Sequence, residues 1–170
     1  MKHLTMILAV LLLAGCAAYS SNGLKPGEAR LEDVLRVMGQ PAMRWQESDG
    51  ALQLAYPRGQ TGVHSYMAFI GADGGLQRIE NVMERSAFAR IQAGMNKEQV
   101  LRILGPSWPG WTVYFKARDE LVWEWRYCDE WNEPARFDVL FDASTEKVRS
   151  TLSQTESQMG LCDQSCWCSR

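Results

Sequence analysis

The residues of this chain that could do chemistry are mostly cysteines. The 170 residues include five cysteines and two histidines, and His64 is the only histidine beyond the N-terminal segment. One histidine cannot make a histidine-based zinc site. The sequence also has no nucleophile elbow, phosphate-binding loop or zinc-protease motif. We therefore expect no catalytic residues, no metal and no cofactor, and a protein that binds rather than an enzyme.

The N-terminus predicts export. Lys2 precedes an apolar run at 4–15, which is too short to span a bilayer comfortably. The run ends in "LAGC", Leu13–Cys16, which resembles the lipobox of bacterial lipoproteins. That resemblance implies a signal peptide at 1–15 and a lipid on Cys16; because Ala17 is not Asp, it also implies the periplasmic face of the outer membrane. The alternative is an ordinary signal peptide with a chance cysteine. Residues 16–26 then form a small, polar tether.

An exported chain with four further cysteines is expected to form disulfides. The four candidates are Cys128, Cys162, Cys166 and Cys168. A bridge between the last two is awkward because one residue separates them. We therefore favour Cys128 with one tail cysteine and Cys162 with another. A metal site in "CDQSCWC", or a tail with partly free thiols, remains an alternative.

Two similar stretches of sequence predict the helices of the fold. "DVLRVMG" at 33–39 and "QVLRILG" at 99–105 each carry apolar residues at helical spacing. Gly39 and Gly105 follow the apolar stripes, and a proline comes soon after each, so both glycines are predicted to end helices with positive φ. Asn96 and Gln99 have the spacing of a capping box. "RSAFARIQ" at 85–92 predicts a short preceding helix.

Runs with strand-like alternation follow each helix. They lie at 42–46, 51–56, 65–70 and 76–83 in the first repeat, and at 111–117, 121–127, 136–141 and 147–153 in the second. The pattern predicts an α+β fold of two tandem repeats, at 27–84 and 85–154, with a Cys-rich tail at 155–170. Each repeat would be one or two short helices on one face of a four-stranded antiparallel meander, and the two meanders could share one larger sheet.

Alternation divides the second-repeat strands into two faces. We expect Trp111, Val113 and Phe115, with Trp123 and Trp125, to face the core. The opposite face mixes charged and apolar residues, which is typical of a protein-docking platform and also of an ordinary exposed sheet. The candidate docking residues are Met67, Phe69, Tyr114, Arg126 and Leu140 on that face, with Trp108 and Trp131 in flanking loops.

The segments "AGMNKEQVLRILGPS", "LVWEWRY" and "RFDVLFDASTEKV" resemble the BamE (SmpA/OmlA) family of outer-membrane lipoproteins. The tandem arrangement is also similar to the β-lactamase inhibitor proteins. The first resemblance implies an accessory or scaffold role in the assembly of β-barrel proteins, with barrel-assembly subunits as partners. The second implies an inhibitor or sensor that captures a soluble partner, such as a hydrolase. The formal net charge of −2 gives no indication of nucleic-acid binding.

Overall fold

The computed structural model describes residues 23–162 and 166–168. The predicted signal peptide at 1–15 and the proposed lipidation site Cys16 lie outside these residues. No helix in the described part of the chain is long and apolar enough to cross a membrane. Leu24, which we expected in the tether, is buried in the first core. Leu24 belongs to the same apolar cluster as Val34 and Met38. The folded body therefore includes residues before position 27.

Short helices precede two groups of four strands. The helices are α1 (Leu31–Met38), α2 (Arg85–Phe88) and α3 (Lys97–Leu104). The strands are β1 (Met43–Gln46), β2 (Leu52–Pro57), β3 (Ser65–Ile70), β4 (Leu76–Asn81), β5 (Val113–Phe115), β6 (Glu120–Cys128), β7 (Pro134–Asp142) and β8 (Lys147–Thr155). Single 3₁₀ turns, Pro109–Trp111 and Lys116–Arg118, flank β5.

The strands form two separate antiparallel meanders, β1-β2-β3-β4 (sheet 1) and β5-β6-β7-β8 (sheet 2). The α+β class and the two-unit arrangement are confirmed. The idea that the two repeats share one larger sheet is wrong, since no strand of the first meander pairs with one of the second in the described residues. The two units are joined instead through side-chain packing and through hydrogen bonds from Gln53 and Arg126 to backbone carbonyls of the other repeat.

The helix ends follow the predicted chemistry. Asn96 accepts a hydrogen bond from the backbone N–H of Gln99 at 2.9 Å, and the Gln99 side chain accepts one from the N–H of Asn96 at 2.9 Å. Gly39 and Gly105 have φ values of 77° and 72°, as predicted. Each glycine lets the chain leave its helix in a conformation that other residues adopt at a cost.

The repeats correspond in their backbone hydrogen bonds as well as in sequence. The residue before α1, Arg30, forms an isolated antiparallel bridge with Gly75, and the residue before α3, Asn96, forms one with Lys147. A β-bulge falls between Phe69 and Ile70 in β3, and the same irregularity falls between Leu140 and Phe141 in β7. The registers therefore align the two meanders strand by strand.

Two apolar cores hold the fold together. In the first core, Val34 and Met38 of α1 pack with Leu54 and Tyr56 of β2 and with other residues on that face of sheet 1. The second core contains Val100 and Leu104 of α3, together with residues from both sheets. Its sheet 1 members include Trp45, Ala55 and Met67, and its sheet 2 members include Trp125, Phe137, Val139 and Phe141. Sheet 1 is thus covered on both faces, whereas sheet 2 contributes only one face to a core.

Candidate functional site

Two of the predicted docking residues do not face solvent. Met67 is 0% exposed, and Phe69 is half-buried with the Arg78 guanidinium carbon 3.5 Å from its ring centroid. The prediction that both lie on an open platform is wrong. The face of sheet 1 that points away from α1 is occupied by the second repeat, so the residues that the structure describes form no broad open surface built from both repeats.

The C-terminal end of α3 fills this face of sheet 1. A Cβ atom built on Gly105 would meet Met67 Cε and Ser65 Oγ at 3.4 Å and Ala55 Cβ at 3.5 Å. Gln53 Nε2 donates a hydrogen bond to the carbonyl oxygen of Arg102 at 2.5 Å. The Arg102 side chain forms an ion pair with Glu47. Sheet 1 therefore provides a seat for a helix end, made of apolar residues and one amide donor.

The counterpart of this seat on sheet 2 is an open groove. Ala55 is opposite Met67 in sheet 1, and the register places Glu124 opposite Asp138 at the same position in sheet 2. The groove has a volume of about 230 Å³. Its lining, called the outer groove below, comprises Trp111, Val113, Phe115, Arg118, Glu120, Val122, Glu124, Asp138, Leu140 and Leu152.

Ion pairs fix most charged groups around the outer groove. Glu156 accepts hydrogen bonds from Arg126 Nε at 2.6 Å and from Arg136 Nε at 2.6 Å. Arg136 Nη1 donates to Glu124 at 2.6 Å. The hydrogen bonds from Arg126, and then those from Arg136, hold the pKa of Glu156 below its usual value. These pairs are only partly exposed, which makes them less screened than surface pairs.

Arg126 is therefore less available to a partner than the sequence suggested. Its guanidinium donates two hydrogen bonds to Glu156, and Nη1 donates a third to the carbonyl oxygen of Thr61 at 2.9 Å. Thr61 belongs to the loop between β2 and β3, so this contact joins the two repeats. The structure assigns Arg126 an internal structural role at the end of the groove.

Asp138 is the unusual group in the floor of the outer groove. Its Oδ1 atom is buried and has no hydrogen-bond partner among the described residues. Burial, with the adjacent Glu124 carboxylate, raises the pKa of Asp138 from 3.8 to about 7. A buried carboxyl oxygen without a donor costs on the order of 1–3 kcal/mol. A donor brought by a bound molecule would recover part of that cost.

The apolar walls of the groove come from residues we expected in the core. Val113 is opposite Val122, and the Arg136 guanidinium carbon lies 3.9 Å from the Trp111 ring centroid, so these residues belong to the outer side. The predicted core placement of Trp111, Val113 and Phe115 is wrong. Val113 and Phe115 are exposed, and Leu152 across the groove is 45% exposed. Alternation separated the two faces of β5 correctly, but neither face is covered, because all three residues of this strand are exposed.

The other predicted docking residues are spread around the second repeat. Leu140 is half-buried in the lining of the groove. Tyr114 is 54% exposed but pairs with Leu121, on the opposite side of β5 from Val113. Trp108 lies in the segment before β5, and Trp131 is 77% exposed in the loop between β6 and β7. The groove thus brings together Leu140 with Asp138 and Leu152, which the sequence analysis did not select.

The tail cysteines lie away from this groove and are paired. Cys128 is bonded to Cys168, with a Cα–Cα distance of 6.0 Å, and Cys162 is bonded to Cys166, with a distance of 5.8 Å. This agrees with the favoured link between Cys128 and the tail. Glu156 lies close enough to Cys162 and Cys166 to complete a three-ligand group. A disulfide has no thiolate to offer a metal, so this group fits no ion while the bridge is intact.

Comparison of the chain with protein-family models, curated proteins and solved structures gives no match.

Proposed function

We propose that this chain is a lipid-anchored periplasmic protein of the outer membrane that serves envelope assembly as an accessory or scaffold protein. It acts by binding a protein partner in the outer groove of sheet 2. The lipobox-like N-terminus supports the location, and the resemblance of the second repeat to the BamE family supports the process. A lipid attached to Cys16 would anchor the protein to the membrane. Barrel-assembly subunits are the first partners to test.

One observation carries the binding role, namely the chemistry of the outer groove. Exposed apolar side chains, Val113, Phe115 and Leu152, surround a floor in which Arg136 holds Glu124 in place and Asp138 Oδ1 has no donor among the described residues. Apolar walls supply area that a partner can remove from water, and a preorganised polar floor selects which partner fits. The tandem repeat gives some support to the alternative, an inhibitor or sensor that captures a soluble protein such as a hydrolase.

A capture experiment tests this proposal. The full chain is isolated from detergent-solubilised membranes, and the co-purified proteins are compared with those of two variants. Leu152→Arg places a bulky charge in the groove, whereas Leu161→Arg changes another exposed leucine outside the groove lining. We expect Leu152→Arg alone to lose the partner. Recovery of barrel-assembly subunits supports the assembly role, and a soluble hydrolase supports the alternative. Equal recovery of the partner by both variants would exclude the outer groove as its binding site.

The anchor is tested separately. Cys16→Ser removes the thiol to which the lipid would be attached, so the protein should move from the membrane fraction to the soluble periplasmic fraction. A variant that stays in the membrane fraction would show that a lipid on Cys16 is not the anchor. The Leu161→Arg protein serves as the fractionation control, because its N-terminus is unchanged.

A further inference from the structure

The contact between the two repeats joins a helix end of the second repeat to a sheet face of the first. Each repeat also has the matching surface that this contact does not use. One half is the C-terminal end of α3, which is seated on sheet 1, and its counterpart is the C-terminal end of α1. A Cβ atom built on Gly39 would meet no described atom within 4 Å, in contrast to the three close contacts at Gly105. Gly39 and Gln40 are exposed. The other half is the outer groove, which is the counterpart of the seat on sheet 1.

The charges at these two ends are complementary. Arg36 occupies in α1 the position that Arg102 occupies in α3, and its side chain is 72% exposed. Its partner in the described residues is Asp33 on the same helix. Arg102 binds a carboxylate, Glu47, when α3 is seated on sheet 1. In the outer groove, Asp138 Oδ1 lacks a donor, and an arginine carries five.

The chemistry of the groove floor also argues against a purely apolar occupant. Sheet 1 offers Ala55 and Met67 to the end of α3, whereas sheet 2 offers Glu124 and Asp138 at the matching positions. Glu124 is already paired with Arg136, which leaves Asp138 Oδ1 as an acceptor on the floor without a donor among the described residues. An arginine in the last turn of a helix, such as Arg36, supplies donors for this oxygen, and its charge offsets the negative end of the helix dipole.

We propose that the outer groove seats the C-terminal end of α1 from a second copy of this chain, with Arg36 paired to Asp138. The copies then associate head to tail, with the α1 end of one copy lying over Glu124 and Asp138 of the next. This interface is heterologous, so each added copy leaves one α1 end and one groove open. The inference rests on the proposed function only in using the same groove, for which a second copy and a different partner would compete.

The test uses two variants, one that alters the α1 end and one that blocks the outer groove. Arg36→Gln removes the cation of the α1 end and leaves the groove intact. Leu152→Arg blocks the groove and leaves the α1 end intact. Full chains carrying two different tags are co-expressed, solubilised in detergent and purified through one tag. Arg44→Gln and Leu161→Arg are the matched controls, since both change exposed residues outside the two surfaces.

The expected pattern follows from the heterologous geometry. Wild-type copies and both controls should co-purify with a differently tagged copy. Arg36→Gln paired with itself, and Leu152→Arg paired with itself, should each lose co-purification by about tenfold. The mixed pair should regain it, because the intact α1 end of the Leu152→Arg chain meets the intact groove of the Arg36→Gln chain.

Three results would overturn the inference. These are wild-type copies that do not co-purify, self-paired variants that co-purify like the controls, and a mixed pair that fails while wild type succeeds. The proposed function fails differently. If wild-type chains do not associate but Leu152→Arg still loses a different protein partner, self-association is excluded and the docking role of the groove is retained.

Discussion

The indole Nε1 of Trp125 donates a hydrogen bond to the carbonyl oxygen of Gly105 at 3.2 Å. Gly105 ends α3, so this bond ties the helix end to β6. In the first repeat, the Tyr56 hydroxyl donates to the carbonyl oxygen of Gly39 at 3.4 Å. An aromatic donor on the second strand therefore holds the last turn of the helix in both repeats, although the ring differs.

Trp125→Phe should destabilise the protein by about 1–2 kcal/mol, because it keeps an aromatic ring but leaves the Gly105 carbonyl without this donor in a buried site. Urea unfolding followed by fluorescence from the remaining tryptophans measures the change. Trp131→Phe is the control, since Trp131 is highly exposed, and its free energy of unfolding should match wild type. Equal stability of the two variants would show that the bond contributes nothing measurable.

Gly39→Leu and Gly105→Leu should differ strongly. Both positions have positive φ, so each substitution carries a backbone cost of about 1 kcal/mol. At Gly39 a side chain extends into open space, whereas at Gly105 it must displace Met67, Ser65 or Ala55. We expect a total loss of about 1 kcal/mol at Gly39 and about 3 kcal/mol or more at Gly105. Thermal unfolding of both variants checks this order, and similar midpoints would contradict the seated position of Gly105.

Asp138 should make the stability depend on pH. Its pKa is about 7 in the folded protein, against an ordinary value of 3.8, so the folded state binds more protons between these two values. Stability from this group therefore falls as pH rises from about 4 to about 7. Glu124 and Arg136 are the charged neighbours on the sheet, and the residue opposite on β8 is the neutral Leu152.

Asp138→Asn removes this titration. Relative to wild type, the variant should be more stable at pH 8 than at pH 5 by about 1–2 kcal/mol, after allowance for solvent screening. Urea unfolding at the two pH values measures the difference. Asp73→Asn, at an exposed turn between β3 and β4, is the control. A pH-independent difference between Asp138→Asn and wild type would show that the carboxyl is not buried in solution.

Loss of the Cys128–Cys168 bridge should cost more than loss of the Cys162–Cys166 bridge. The first joins residues 40 apart and the second joins residues 4 apart. Chain-entropy arguments give about 4 kcal/mol for the longer loop and about 2 kcal/mol for the shorter one. Double serine variants of each pair, compared by urea unfolding, test the order. Peptide mapping without reduction checks the pairing, and a free Cys128 in periplasmic material would contradict it.

Local signals were enough to predict most elements of the fold. The apolar stripes that stop at Gly39 and Gly105 placed both helix ends, and alternation placed the strands, including β3 at Ser65–Ile70. These features depend on residues near one another in the chain, which is why a single sequence reveals them.

The stacking of the repeats was harder to predict because it depends on long-range packing. A usable signal was present, since Ala55 and Met67 alternate with Leu54 and Ala68, and strands apolar on both faces are typical of a sheet covered on both sides. β5 was misassigned for a different reason. It is a three-residue edge strand with apolar or aromatic residues on both sides, and all three are exposed, so an apolar pattern alone does not show that such a strand is buried.

The matching β-bulges carry information about descent. Gln77 is the extra residue opposite the Phe69–Ile70 step, and Arg149 is the extra residue opposite Leu140–Phe141. These two residues share no side-chain chemistry that would require the same irregularity twice, which favours duplication of one unit as the origin of the two repeats. The matching positions are now under different physical constraints: Ala55 and Met67 lie in a buried contact that favours apolar residues, whereas Glu124 and Asp138 line a groove open to water, where polar residues are accommodated.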